Sequence, residues 1–313
     1  MFKIISVLFL LLSFAKAIDI AQTSQNIRSY PFVENKVGIK ASYNVINSGM
    51  DIFSIRSDSN GEASSHGSLG GLNGLNLSLG YGYSEHVSFL YDMNYQDFDY
   101  ASTSLKNNRQ EIMIKLNLYH NPSAMMDTYS ADFGFIQNSA NDLTISGSSL
   151  GISKMDDMSD SSFYMRLLAG SKIMYSVLDF YLGLKFTTID TKLDGVSHDR
   201  SEVAINAGFQ YAIELGNFLV EAGYEYIRLV NREVENVNKN NHILNLTLSR
   251  VFNRDLLIFI GSKYYIHQYN GVIPYLYNEK TKNIFNQKFG YATVGFIYNF
   301  DFDMNLDGLN QPW

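Results

Sequence analysis

Apolar and polar residues alternate along this chain, with interruptions, from residue 37 to residue 300. Val37, Ile39, Ala41, Tyr43 and Val45 share one parity, and Gly38, Lys40, Ser42 and Asn44 share the other. A period of two places the two sets on opposite faces of a β-strand. The same alternation runs through 75–83, 87–95, 112–118, 129–135, 163–169 and 178–186. It returns in 203–211, 218–226, 244–248, 258–264 and 294–300, giving about twelve predicted strands, an even number.

The connections between these segments alternate in length. Short ones fall near 84–86, 120–122, 171–175, 214–217 and 252–255; long ones cover 46–70, 97–109, 137–162, 190–201, 228–241 and 268–287. Short periplasmic turns alternating with long external loops are the pattern of an outer-membrane barrel, and an even strand number returns both ends to the periplasm. The Ser-, Asn-, Asp- and Gly-rich stretches 57–71 and 138–162 are expected to be external, mobile loops.

Alternation alone does not say which face points outward. A soluble barrel turns its apolar face in and covers the other with dense charge. Here the apolar sets are almost free of charge, while the alternate sets carry Gly, Ser and Asn with scattered Lys, Asp and Glu. Tyrosines gather near predicted strand ends (Tyr43, Tyr81, Tyr83, Tyr95, Tyr129, Tyr211, Tyr224, Tyr226), where a ring can sit in lipid and its hydroxyl reach the headgroups. After the N-terminus no apolar run reaches the length of a membrane-spanning helix, so a spanning chain must satisfy its backbone by closing a sheet. The expected fold is all-β, a transmembrane antiparallel up-and-down β-barrel of about twelve strands.

Met1-Phe2-Lys3, the apolar run 4–14 and Ala15-Lys16-Ala17 form the charged start, hydrophobic middle and small-x-small cleavage site of a signal peptide. The expected organisation is a signal peptide at 1–17, a periplasmic segment at 18–35, the barrel at 36–300 and a periplasmic tail at 301–313. The short stretch before residue 37 leaves no passenger domain, which disfavours an autotransporter. There is no cysteine, so disulfides and thiolate chemistry are absent. With 24 Lys and Arg against 31 Asp and Glu, nothing favours a nucleic-acid partner.

If the apolar residues face lipid, the charges between them face the lumen. Lys40, Asp92, Lys115, Asp132, Arg166, Lys185, Glu221, Glu225 and Lys263 are the candidates. Asp92, Lys115 and Asp132, counted from the turns, fall at similar depth. Mixed signs suit either a salt-bridged, partly filled interior or a transverse field across a pore.

Catalytic patterns find little footing in this arrangement. His86 lies two residues from Ser84 and from Ser88, but its parity is that of the lumen; His66 lies in a Gly- and Ser-rich stretch, and His242 has no serine partner. No histidine has metal-ligand spacing, and no enzyme, metal or cofactor is expected. Asp303-x-Asn305-x-Asp307-Gly308 opens like a calcium loop but lacks the twelfth-position acid, so a plain tail is the expectation.

Thr293-x-Gly295-x-x-Tyr298-x-Phe300 resembles the C-terminal assembly signal of Gram-negative outer-membrane proteins. That resemblance implies insertion by the barrel-assembly machinery and a place in the outer membrane, among lipopolysaccharide and phospholipid. In strand number the chain also resembles the monomeric twelve-stranded porins for acidic sugars, without the strongly basic lumen that such a role implies. The expected function is a narrow, monomeric passive channel for small hydrophilic solutes or ions. The alternative is a non-conducting barrel that acts as an adhesin-like surface through its external loops.

Overall fold

A computed structural model of the chain describes residues 29–30, 32–46, 69–100, 103–147, 151–231, 239–253, 255–266 and 289–301. The expected signal peptide, the stretch 18–28 and the calcium-like pattern at 303–308 lie outside the described residues. The strands are β1 Lys36–Ile46, β2 Leu69–Gly82, β3 Val87–Tyr100, β4 Thr103–His120, β5 Thr128–Ala140, β6 Leu143–Gly147 and β7 Gly151–Ile173. They continue with β8 Ser176–Leu193, β9 Val196–Ser197, β10 Arg200–Leu215, β11 Phe218–Asn231, β12 Asn240–Val251, β13 Leu256–Ile266 and β14 Phe289–Asp301. Twelve of them close an antiparallel barrel, with β1 hydrogen-bonded to β2 on one side and to β14 on the other. The short β6 and β9 only extend the ladder along the ends of β7 and β8.

Burial settles which face points out. Leu75, Ile112, Leu118, Leu167, Leu182, Leu246 and Ile260 are each more than half exposed, and all belong to the apolar parity. The opposite parity is buried and polar: Ser78, Asn107, Lys115, Asp132, Arg166 and Glu221 are among its members. This inversion of the soluble pattern gives the barrel an apolar exterior, which lipid satisfies and water does not.

Three of the six expected long loops are corrected. β3 and β4 run to Tyr100 and from Thr103, so most of 97–109 is paired strand, with Asp97 opposite Lys106 and Asp99 opposite Ser104. Stretch 137–162 is carried by the end of β5, by β6 and by β7, and 190–201 by the ends of β8 and β10 with β9 between. Past the lipid the outward face of a strand meets water and takes polar residues, so the apolar alternation fades, whereas the backbone ladder needs no particular side chain to continue. The external ends of these strands also have a small core of their own. Leu143 is paired with Met155 and Met155 with Leu193, all three buried, and Leu105, Met158 and Ile189 are buried at the same end.

The short turns gather at the other end, the one expected to face the periplasm. Ser84 illustrates why they are tight: its Oγ accepts from the backbone N–H groups of His86 and Val87, so the Ser84–His86 spacing serves a turn cap.

Candidate functional site: a charged chamber above a plugged mouth

A chamber of about 310 Å³ occupies the outer half of the lumen. Each of the twelve barrel strands contributes at least one side chain, from Lys40 on β1 to Tyr291 and Thr293 on β14. Five lining residues are cationic (Lys40, Arg109, Arg166, Lys185, Lys263) and three acidic (Asp92, Glu111, Glu225), an excess of two positive charges. The rest is largely amide, hydroxyl and tyrosine, including Asn76, Asn94, Asn206, Asn245, Thr247, Tyr265 and Tyr291.

The wall holds its charges flat. Arg109 donates to Glu111 at 2.6 Å, the Tyr164 hydroxyl donates to Glu111 at 2.5 Å, and Arg166 lies 3.9 Å from the same carboxylate. The Arg166 guanidinium stacks 4.2 Å from the Tyr164 ring, and Lys40 and Lys263 lie over Phe259 and Tyr265 at 5.2 and 5.3 Å. Inward glycines make the room. A Cβ on Gly134 would fall within the Tyr164 ring, and one on Gly183 within the stem of Arg166. On the acidic side, Asp92 accepts from Asn76 at 3.1 Å and from Ser78 at 2.6 Å, while Glu225 accepts from Asn206 at 3.2 Å.

Of the nine charges expected to face the lumen, six line this chamber: Lys40, Asp92, Arg166, Lys185, Glu225 and Lys263. Lys115, Asp132 and Glu221 also point inward but sit nearer the periplasm, and all three are buried. Lys115 and Asp132 are direct cross-strand partners, and Asp132 is in turn opposite Arg166. Asp92 does not share their depth. It faces Glu111, four residues before Lys115 on β4 and nearer the outer end, because tilted strands shift the register from one turn to the next. Arg109 and Glu111 are chamber residues that the alternation at 112–118 had left outside the strand.

The residues expected in the periplasm just ahead of β1 instead enter the barrel. Asn35, at φ 58°, turns the chain inward, and its N–H donates to Gly82 O at 2.8 Å. The backbone N–H of Phe32 donates to Ser88 Oγ on β3 at 3.2 Å, and its ring fills the space above Gly80 on β2, where a Cβ would lie 2.7 Å away. Lys115 on β4 donates to Tyr30 O at 3.3 Å, and the Tyr30 hydroxyl donates to Asp127 at 2.5 Å. Ser29 ends the crossing: its N–H donates to Asp179 on β8 at 3.0 Å, its hydroxyl bonds the same carboxylate, and its carbonyl accepts from Thr128.

Counted around the barrel from β1, β8 is the seventh of twelve strands and therefore lies on the opposite wall. Seven residues in extended form reach about 24 Å, enough for that traverse. Tyr30 completes an apolar floor with Val177, Ala212, Leu219, Val251, Leu257, Phe259 and Ile297. Neither Asp127 nor Asp179 was singled out in the sequence, although Asp179 alternates with Leu178 and Phe180 and so has inward parity.

The assembly-signal residues divide between the faces. Thr293 and Gly295 point into the lumen, whereas Tyr298 is exposed on the lipid side and the Phe300 ring stacks near it at 6.2 Å. β14 ends at Asp301, whose carboxylate lies 3.5 Å from Lys36 on β1.

No family model and no curated protein matches the sequence. Among solved structures, the translocator domain of the autotransporter NalP from Neisseria meningitidis matches with a TM-score of 0.52 at 12% identity, over 85% of this chain and 88% of that one. The β domain of the Bordetella autotransporter BrkA gives 0.47 at 11% identity (85% and 99% covered), and the NanC porin 0.45 at 11% (83% and 98%). Fold and faces together define the class: this is an outer-membrane-type β-barrel. Identities this low carry the fold and nothing about cargo.

Proposed function

We propose that the protein is a narrow, monomeric outer-membrane channel for small hydrophilic solutes, with a preference for anions. One observation carries this reading: a polar chamber to which every barrel strand contributes, with five cations against three acids. Three of those cations rest on aromatic rings, so their charge is fixed in place rather than swept through the passage. A wide, general pore does not fit a lumen whose periplasmic half is filled. Outer-membrane lipid would cover the exterior, and the barrel-assembly machinery would insert it; catalysis forms no part of this reading.

The test is the reversal potential of the refolded full chain in a planar bilayer under a salt gradient. Anion selectivity is expected, and it should weaken at high salt as the charges are screened. Replacing Lys40 and Lys263 by Glu changes five against three into three against five and should invert the sign. Cation preference in the unsubstituted protein, or no conductance from it even with the segment ahead of β1 released from the lumen, would sink the proposal.

A second reading has its own support, the stiff wall that β5 to β8 raise beyond the lipid with its buried Leu143, Met155 and Leu193. A surface-interaction barrel would use that projection. Deleting 143–155 should then abolish adhesion and leave conductance intact.

A further inference from the structure

We propose that the stretch carrying Ser29, Tyr30, Phe32 and Val33 is a displaceable gate across the periplasmic mouth, an inference that rests on the channel reading. The receptor for this segment is built into the wall. Gly80, Gly82 and Gly170 leave space that the segment fills: a Cβ on Gly80 would meet the Phe32 ring, one on Gly82 the Val33 carbonyl, and one on Gly170 the Ser29 hydroxyl. Such complementarity at three places shows a specified resting position.

The manner of attachment makes it a gate and not a piece of wall. Among the described residues a single bridge, Glu34 with Gly82 just beyond the segment, joins this stretch to the sheet in strand fashion. Beyond it, the crossing is held largely by side chains: Ser88, Lys115, Asp127, Thr128 and Asp179, spread from β3 to β8. When the segment leaves, water enters the mouth and takes over each of these hydrogen bonds. The carboxylates of Asp127 and Asp179 are then hydrated, not stranded, so release exchanges partners without leaving a buried charge. A β-ladder strand has no such exit, because removing it opens two edges of the barrel. The chamber above stays intact with the segment gone, since its twelve contributing strands are held by the ladder alone.

Two variants of the full chain push the gate in opposite directions. Asp127→Ala with Asp179→Ala removes the far anchors; in single-channel recordings the open fraction should rise roughly tenfold or more, the shift that loss of one such hydrogen bond produces. Ser29→Cys with Asp179→Cys replaces a direct side-chain contact by two thiols in a protein that has no other cysteine. Oxidation should close the channel and reductant should reopen it, with the cross-link verified by mass spectrometry. If the cysteine pair does not fold, judged by the heat-dependent gel shift of the barrel, the alanine pair decides alone. Conductance that both variants leave at the unsubstituted level overturns the gate and leaves the channel standing. Silence in every form, the alanine pair included, overturns both.

Discussion

Glu111 is the acceptor on which the chamber's densest charge cluster turns. It takes hydrogen bonds from Arg109 and Tyr164 and lies within 3.9 Å of Arg166. Glu111→Gln keeps the shape and removes the charge, leaving the buried Arg166 and the half-buried Arg109 short of their common partner. Equilibrium unfolding in detergent should show a loss of about 1.5–3 kcal/mol, the worth of a hydrogen bond to a charged group. Anion selectivity should rise at the same time, because the chamber then has five cations against two acids; a stability loss with unchanged selectivity would detach Glu111 from the permeation path. At this scale the sequence was legible wherever parity could be counted. Lys40, Lys263 and Glu225 declare themselves by alternating with lipid-facing residues. Arg109 and Glu111 have that parity too, but they stand at the outer end of β4, where polar neighbours on both faces hide the period. The plug was not legible, because its defining contact joins Ser29 to Asp179, 150 residues away, and no local pattern announces a chain that turns back on its own barrel.

On the strands, the exterior belt sets the terms. Leu182 stands at the centre of β8 on the lipid side and is 59% exposed. Leu182→Arg should cost about 2–4 kcal/mol at the bilayer midplane, read as a lowered midpoint in urea-dependent refolding into vesicles. A neutral effect there would contradict the assignment of faces. Beyond the membrane the same ladders obey ordinary solution electrostatics. Asp157 accepts from Lys192 at 2.6 Å across β7 and β8; this bond holds the carboxyl below its usual 3.8 and the ammonium above its usual 10.5. A lowered carboxyl contributes order above its unfolded value and loses it as pH falls through the folded one. A raised ammonium contributes below its unfolded value and loses it as pH rises through the folded one. The methyl signals of Met155 and Met158, which sit beside this pair, should therefore stay constant from about pH 5 to about pH 9. They should move only in stronger acid or base, and a transition centred near neutrality would exclude the pair as their support. Twelve strands were legible because lipid enforces a strict period of two; the outer extensions were not, because their outward face meets water and holds polar residues, so only a few inward apolar side chains such as Leu143 and Met155 mark them.

The whole barrel depends on one seam between distant parts of the chain, where Lys36 on β1 faces Asp301 on β14. Pairings of such separation form late, after the sequential hairpins have aligned their ends. Gly295 lies inside that seam. A Cβ there would press on the Ala41 carbonyl and on Ser42 of β1, and would come within 2.7 Å of the Phe259 ring of β13. Phe259 in turn supports Lys40 on the chamber side, so closure and chamber meet at this glycine. The resemblance to an assembly signal would imply a role for Gly295 in recognition during insertion; the geometry gives it a structural role that requires no machinery. The two are separable in purified components. Gly295→Val overfills the seam and should lower stability by about 1–3 kcal/mol, so refolding into detergent alone should yield less of the compact, heat-modifiable form. Tyr298→Ala and Phe300→Ala act in the same seam but on side chains of the lipid face, away from the crowding at Gly295, and both should refold in detergent nearly as well as the unsubstituted chain. Should Gly295→Val also refold normally without the machinery, the glycine serves recognition alone and the seam tolerates a side chain. A defect in purified detergent instead makes the motif a closure element first, with its inward half shaped by β1 and its outward half by lipid.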